Sequence, residues 1–110
     1  MIRMSYFAKY KGPDAISVAR ITPEWYGPVP TYLDIAPDKS TLLKYKKTQD
    51  KKAYFNEYVA KISKLDLDKV YKDLDGKVIL CYEKPGDFCH RFIFAEMMRR
   101  RGFEVREIEY

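Results

Sequence analysis

The chain has 110 residues, of which 46% are hydrophobic, 15% aromatic and 34% charged, with a formal net charge of +5. That length carries one domain, 1–110, with an ordinary core, and charges interspersed with apolar residues argue against disorder. There is no apolar run of about 18 residues to span a membrane, and the opening MIRMSYFAKY carries no secretory-type apolar stretch, so a cytoplasmic globule is expected.

Residues 2–9 (IRMSYFAK) read as a strand that Gly12-Pro13-Asp14 interrupts. Residues 15–20 (AISVAR) read as a second, short, buried strand ending in Arg20; spacing alone leaves open whether the two are parallel or a hairpin. Residues 21–37 hold four of the six prolines together with Trp25, Tyr26 and Tyr32. An ordered loop is expected there, long enough to be functional. Asp38 or Ser40 is positioned to cap a helix through Lys47, and Asp50 to cap the next. Phe55, Tyr58, Val59, Ile62 and Leu65 fall at helical spacing, which predicts an amphipathic helix over 51–64. Asp66 or Asp68 opens a further turn through Leu74, which Asp75-Gly76 ends.

Residues 77–83 (KVILCYE) are the clearest strand, because Val78, Ile79 and Leu80 form the continuous apolar run of a strand covered on both faces. Residues 84–87 read as a turn, with Asp87 as the expected N-cap of a helix over 88–101. His90, Ile93, Phe94, Met97 and Met98 fall on one stripe of that helix, and Gly102 stops it. Residues 103–109 (FEVREIE) alternate apolar and charged, as on an edge strand. Strand, helix, strand in the last third makes a βαβ unit. The whole predicts a small three-layer Rossmann-like α/β sandwich of about four strands with flanking helices.

The basic residues cluster at Lys39, Lys44, Lys46, Lys47, Lys51 and Lys52, and again at Arg99–Arg101. Solvated helix faces explain such runs more often than a phosphate-backbone footprint. Cys81 and Cys89 are the only cysteines. In a cytoplasmic chain they are expected as separate thiols rather than a bridge. With one histidine in the chain, Cys81-x7-Cys89-His90 matches no common zinc module, so no metal or cofactor is expected.

The junction from Cys81 to Arg91 (CYEKPGDFCHR) joins the carboxyl end of a buried strand to a helix amino end, where open α/β sheets bind ligands and unpaired N–H groups attract anions. Arg91 there suits bidentate contact with phosphate or carboxylate. Glu83 can serve as an acid–base group or accept from sugar hydroxyls, His90 offers an imidazole, and Cys89 at the helix start is a candidate nucleophile. Each also has a packing role open to it: Cys81 and His90 as core residues, Arg91 as partner of Glu83 or Asp87. Phosphate motifs of the G-x-G-x-x-G and G-x-x-x-x-G-K-[ST] types are missing from the sequence.

The segment LCYEKPGDFCHRFIFAEMM followed by Gly102 resembles the hallmark of the domain of unknown function 488 family, found in small bacterial and phage proteins. In that family a strand ends Cys-x-Glu and a helix opens with Cys-His-Arg. SYFAK, ISVAR, Pro23-x-Trp25 and Ala36-Pro37 resemble it as well, although the Lys11–Asp14 connection is short and Phe92 stands where a smaller or polar residue is common. The resemblance implies a compact α/β fold and supplies no reaction. It adds Ser5, Tyr6, Arg20 and Trp25 as ligand-binding candidates. If the first two strands run parallel to 77–83, Arg20 and Glu83 share a rim, with Trp25 as a lid or stacking platform.

The sequence supports two functions of different kind. One is a site for a phosphorylated or nucleotide-like small molecule, with Glu83, Cys89 and His90 as catalytic candidates of a hydrolase or transferase and Ser5, Tyr6, Arg20, Trp25 and Arg91 holding the ligand. The alternative is a nucleic-acid-binding or protein-interaction module using Lys39–Lys52. A redox or metal role for Cys81 and Cys89 is a third class.

Overall fold

Four strands, β1 (Ile2–Tyr6), β2 (Ala15–Ser17), β3 (Val78–Cys81) and β4 (Val105–Glu107), form one sheet in the order β2-β3-β1-β4. All pairings are parallel. This computed structural model describes residues 1–84 and 86–110, so the part of the 84–87 turn at Pro85 lies outside the described residues. Among the described residues there are also four α-helices, α1 (Lys39–Thr48), α2 (Lys51–Ser63), α3 (Leu67–Leu74) and α4 (His90–Arg100). No described helix is long and apolar enough to cross a membrane.

The central position of β3 agrees with its composition. Every residue of Val78–Cys81 is buried, and the alternation sends Ile79 to one face and Val78 and Leu80 to the other. The Ile79 face carries Ile2, Met4 and Ile16 and meets α2, α3 and α4 through Tyr58, Ile62, Val70, Phe94 and Met98. The Leu80 face is covered by irregular chain, with Phe7, Ala19 and Tyr26 packed against it and Ile108 at its margin. The sandwich therefore has its helices on one face of the sheet and the first part of the proline-rich segment, with Tyr26 and Val29, on the other, whereas Ile35 near the end of that segment joins the helix-side core. That segment is ordered by two short 3-10 turns, Glu24–Tyr26 and Leu33–Ile35, and by a parallel bridge from Ser17 to Thr31.

The parallel-or-hairpin question for the first two strands is answered by β3. It lies between β1 and β2, with Tyr6 beside Cys81 and Ser17 beside Leu80. A hairpin is thereby ruled out, and the 7–14 connection crosses β3. β1 is shorter than the expected 2–9 because Lys9 and Tyr10 donate back to the Tyr6 carbonyl, turning the chain. β4 takes the sheet edge beside β1 rather than β3, so the last βαβ unit skips one strand.

Helix starts match the expected acids with two exceptions. Asp50 and Asp66 accept hydrogen bonds from the backbone N–H of Ala53 and Lys69. Asp50→Ala is expected to lower stability by about 1 kcal/mol, read from urea unfolding; a loss below the error of the fit would remove the cap from the determinants of α2. Asp38 stands at the start of α1 but caps nothing with its side chain. Its carboxylate instead meets Lys61 Nζ at 3.0 Å and Arg20 Nη2 at 3.9 Å. The second exception corrects the Asp87 expectation: α4 begins after Cys89, and Asp87 is an exposed turn residue. Along α2 the buried stripe is Tyr54, Tyr58 and Ile62, whereas Phe55 is 47% exposed. Tyr58 and Ile62 of the expected stripe are thus buried and only Phe55 gives up its place, to Tyr54, because α4 and Phe88 approach from the Tyr54 side.

Candidate functional site

Where β2 and β3 run out, the chain opens into a cavity of about 530 Å³. Its floor is Ala19, Arg20 and Ile21 after β2, Cys81, Tyr82 and Glu83 at the end of β3, and Cys89 and His90 entering α4. Leu42, Tyr45 and Lys46 of α1, Tyr54 of α2, Pro37 and Phe88 make the wall. The carboxyl edge of a parallel sheet is where such cavities form, because the loops leaving adjacent strands diverge.

Glu83 and Arg20 share this cavity, as parallel strands require. Glu83 is half-buried, and burial pushes its carboxyl above the usual range; the nearby Arg91 charge opposes that shift. Arg20 is oriented by its Nε, which donates to the Pro37 carbonyl at 3.1 Å. Lys46 is exposed at the mouth. Tyr54 is buried and lines the same cavity as Glu83, and its hydroxyl pKa is raised by desolvation first and then by the Glu83 charge. Aromatic rings are dense on this side: Tyr45 packs on Tyr54 at 5.2 Å and on Phe88 at 5.4 Å. Tyr82 ties the two floor segments together, its hydroxyl donating to the Ile21 carbonyl at 2.6 Å.

His90 belongs to the floor, and its ring is buried. Its Nε2 is 2.8 Å from the Val18 carbonyl. A carbonyl only accepts, so Nε2 carries the proton and Nδ1 keeps its lone pair. Burial drives its pKa down to about 4, so the imidazole is neutral at pH 7. The Tyr58 ring packs edge-on against it at 5.6 Å.

Arg91 is where the geometry departs furthest from the sequence expectation. Its side chain is 0% exposed and lines no part of the cavity. Nε and Nη2 hold both oxygens of Glu107, at 3.1 and 2.9 Å, while Nη1 donates to Cys81 Sγ and to the Glu83 carbonyl. The bidentate fork expected for a ligand is thus closed on a carboxylate of β4. It fixes the backbone that carries Glu83 rather than reaching a guest.

Cys81 and Cys89 correct another expectation. They are joined in a disulfide, with Cα atoms 7.7 Å apart, and neither is a free thiol. A thiol nucleophile at Cys89 is therefore unavailable while the bond is intact. Linear spacing could not show this pairing, because it does not say that the start of α4 comes to lie beside the end of β3.

The remaining candidates are not among the residues that line the cavity, although Tyr6 is paired with Cys81 in the sheet. Ser5 is fully buried and bonds the Tyr110 hydroxyl at 2.6 Å. Tyr6, at the end of β1, is half-buried and is not among the lining residues. Trp25 is 66% exposed and stands against Tyr26, with ring centres 6.3 Å apart. It is not among the residues that line the cavity, and its 3-10 turn packs through Tyr26 on the Leu80 face of the sheet. Sequence reasoning missed Tyr45, Lys46, Tyr54, Tyr82 and Phe88 as lining residues and Glu107 as the partner of Arg91. An acidic residue at an inward position of the FEVREIE alternation was the one readable signal for the last.

A parallel four-stranded sheet with a half-open, aromatic-walled cavity at its carboxyl edge defines a small Rossmann-like α/β protein. The chain belongs to the DUF488 family: a family model described as "Active DUF488-N3 subclade" matches residues 15–102. The match takes in Arg20, Glu83, Cys89, His90 and Arg91 and leaves out β1, with Ser5 and Tyr6. No curated protein and no solved structure matches the chain.

Proposed function

We propose that the cavity binds a phosphorylated, nucleotide-like small molecule, and that Glu83 is the acid–base group of a hydrolase or transferase reaction on it. The observation that carries this reading is the convergence, in one cavity of about 530 Å³, of two cations, a desolvated carboxyl and a wall of aromatic rings. Arg20 and Lys46 supply positive charge for a phosphate. Tyr45, Tyr54 and Phe88 offer apolar surface for a flat ring. A carboxyl whose pKa is raised by burial is better able to hold and return a proton near neutrality. Arg91 acts through position: it clamps the Glu83 backbone and supplies a nearby positive charge.

The geometry favours this reading over a nucleic-acid footprint on Lys39–Lys52. Lys44 is paired with Glu57 at 2.9 Å, Lys46 turns to the cavity mouth, and Lys51 sits over the Phe88 ring, so the basic run is divided among separate partners.

The test is a thermal-shift panel of nucleotides and sugar phosphates, followed by calorimetry on the compound that raises the melting temperature most. Arg20→Ala is expected to weaken that compound by about 10–100-fold, the effect of one charged hydrogen bond of about 1.5–3 kcal/mol. Glu83→Gln is expected to stop turnover while leaving binding nearly intact. The reading fails if no member of the panel stabilises the protein. It fails equally if RNA or DNA binds with a steep salt dependence that disappears on neutralising Lys44, Lys47 and Lys52.

A further inference from the structure

The two sulfurs and the imidazole take no part in the acid–base reading above. Cys81 Sγ, Cys89 Sγ and a ring nitrogen of His90 lie within 4.8 Å of one another, and all three residues are buried. One comes from the end of β3 and the others from the start of α4. His90 Nδ1, the nitrogen that keeps its lone pair, is the one facing Cys89 Sγ, at 3.8 Å. A histidine ring held on its far side by a backbone carbonyl, as Val18 holds this one, is the arrangement that orients metal-ligating imidazoles. Arg91 places a positive donor against Cys81 Sγ, on an atom that carries negative charge when it acts as a ligand.

We propose that, once the disulfide is reduced, Cys81, Cys89 and His90 bind a zinc-class divalent cation through two thiolates and one imidazole. Thiolate and imidazole together select zinc and its thiophilic neighbours over magnesium or calcium, which take oxygen ligands. Reduction by a phosphine breaks the S–S bond, converts the phosphine and one water to the phosphine oxide, and leaves two thiols. The cation then displaces the two thiol protons. Disulfide and metal exclude each other, because the same two sulfurs make either. Three protein ligands leave one tetrahedral position open, and all three residues also line the cavity of about 530 Å³. That ligand count belongs to catalytic rather than structural zinc sites. The site stands on its own side chains and holds whether or not the cavity takes a nucleotide.

The full chain, reduced with a phosphine under argon, is titrated with cobalt(II) as a spectroscopic stand-in for zinc. The expected result is thiolate-to-cobalt charge-transfer absorption with the strong visible bands of a tetrahedral site, saturating at one cobalt per chain and erased by zinc. The oxidised protein should give neither. Cys81→Ser and Cys89→Ser should each weaken the charge-transfer band, and His90→Asn should shift the visible bands while the thiolate absorption persists. Reduced, folded wild-type protein with two titratable thiols and no charge-transfer band overturns the proposal. Bands that survive in the Cys81→Ser/Cys89→Ser double variant also overturn it. Wild-type titration decides the matter even where substitution of a buried ligand prevents folding.

Discussion

Glu107→Ala is expected to lower the stability of the protein by about 3–5 kcal/mol, the cost of leaving a buried charge without its partner. Arg91 has a fully buried side chain and Glu107 one that is 18% exposed, so water cannot replace the lost carboxylate around the guanidinium. Two of the guanidinium's donor nitrogens lose their acceptors at once. The remaining bonds, to Cys81 Sγ and the Glu83 carbonyl, do not neutralise a full charge. The double variant Arg91→Met/Glu107→Leu removes both charges and should recover much of that loss, because well-packed apolar replacements of a buried pair are often close to neutral. Urea unfolding of the two proteins checks this. A Glu107→Ala cost under about 1 kcal/mol would mean that the pair behaves as a surface bridge. The ion pair would then not be what fixes the Glu83 segment.

The second large effect is on pH dependence. His90 has a folded-state pKa of about 4 against an ordinary value of 6.5. Above pH 6.5 both folded and unfolded chains hold a neutral imidazole, and the group contributes no pH dependence. As the pH falls below 6.5 the unfolded chain takes up a proton that the buried ring refuses, and unfolding is favoured. The loss continues down to about pH 4, where the folded ring protonates too, and totals about 3 kcal/mol. Glu83 works in the opposite sense: its pKa is raised by burial, so protonation in the same acid range relieves a cost of folding. The two are separated by comparing denaturant unfolding of the metal-free, oxidised protein with that of His90→Gln from pH 7 to pH 4. The wild type should lose about 3 kcal/mol more than the variant. Parallel pH profiles would show that the ring is hydrated in the folded state.

Much of the site was legible because strand ends are marked in the sequence. The run Val78-Ile79-Leu80 located the central strand, and the next three residues, Cys81-Tyr82-Glu83, had to emerge at one end of the sheet. Arg20 could be placed beside Glu83 on the single condition that the strands are parallel, which the structure meets. The aromatic wall was not legible. Tyr45 and Tyr54 reach the cavity because α1 and α2 pack together at a particular rotation, and a periodic stripe such as Phe55, Tyr58 and Ile62 is compatible with more than one rotation. The role of Arg91 was not legible either. Its partner lies on β4, two places from β3 in a sheet whose order departs from chain order.

Legible in the chain alone were the α/β class, the approximate strand and helix segments, the cap at Asp50, the edge position of the last strand and the junction that carries the cavity; for α3 the cap was narrowed to Asp66 or Asp68, and packing made it Asp66. These are local properties, set by alternation, helical period and the hydrogen-bonding habits of short polar side chains. Packing settled the rest: Arg91 closes on Glu107, Cys81 and Cys89 join, and Ser5, Tyr6 and Trp25 are not among the residues lining the cavity with Glu83. Each of these depends on which distant segments become neighbours. Burial makes that choice for the chain as a whole, since a guanidinium, a thiol or an indole takes whatever partner the packed sheet and helices bring within reach.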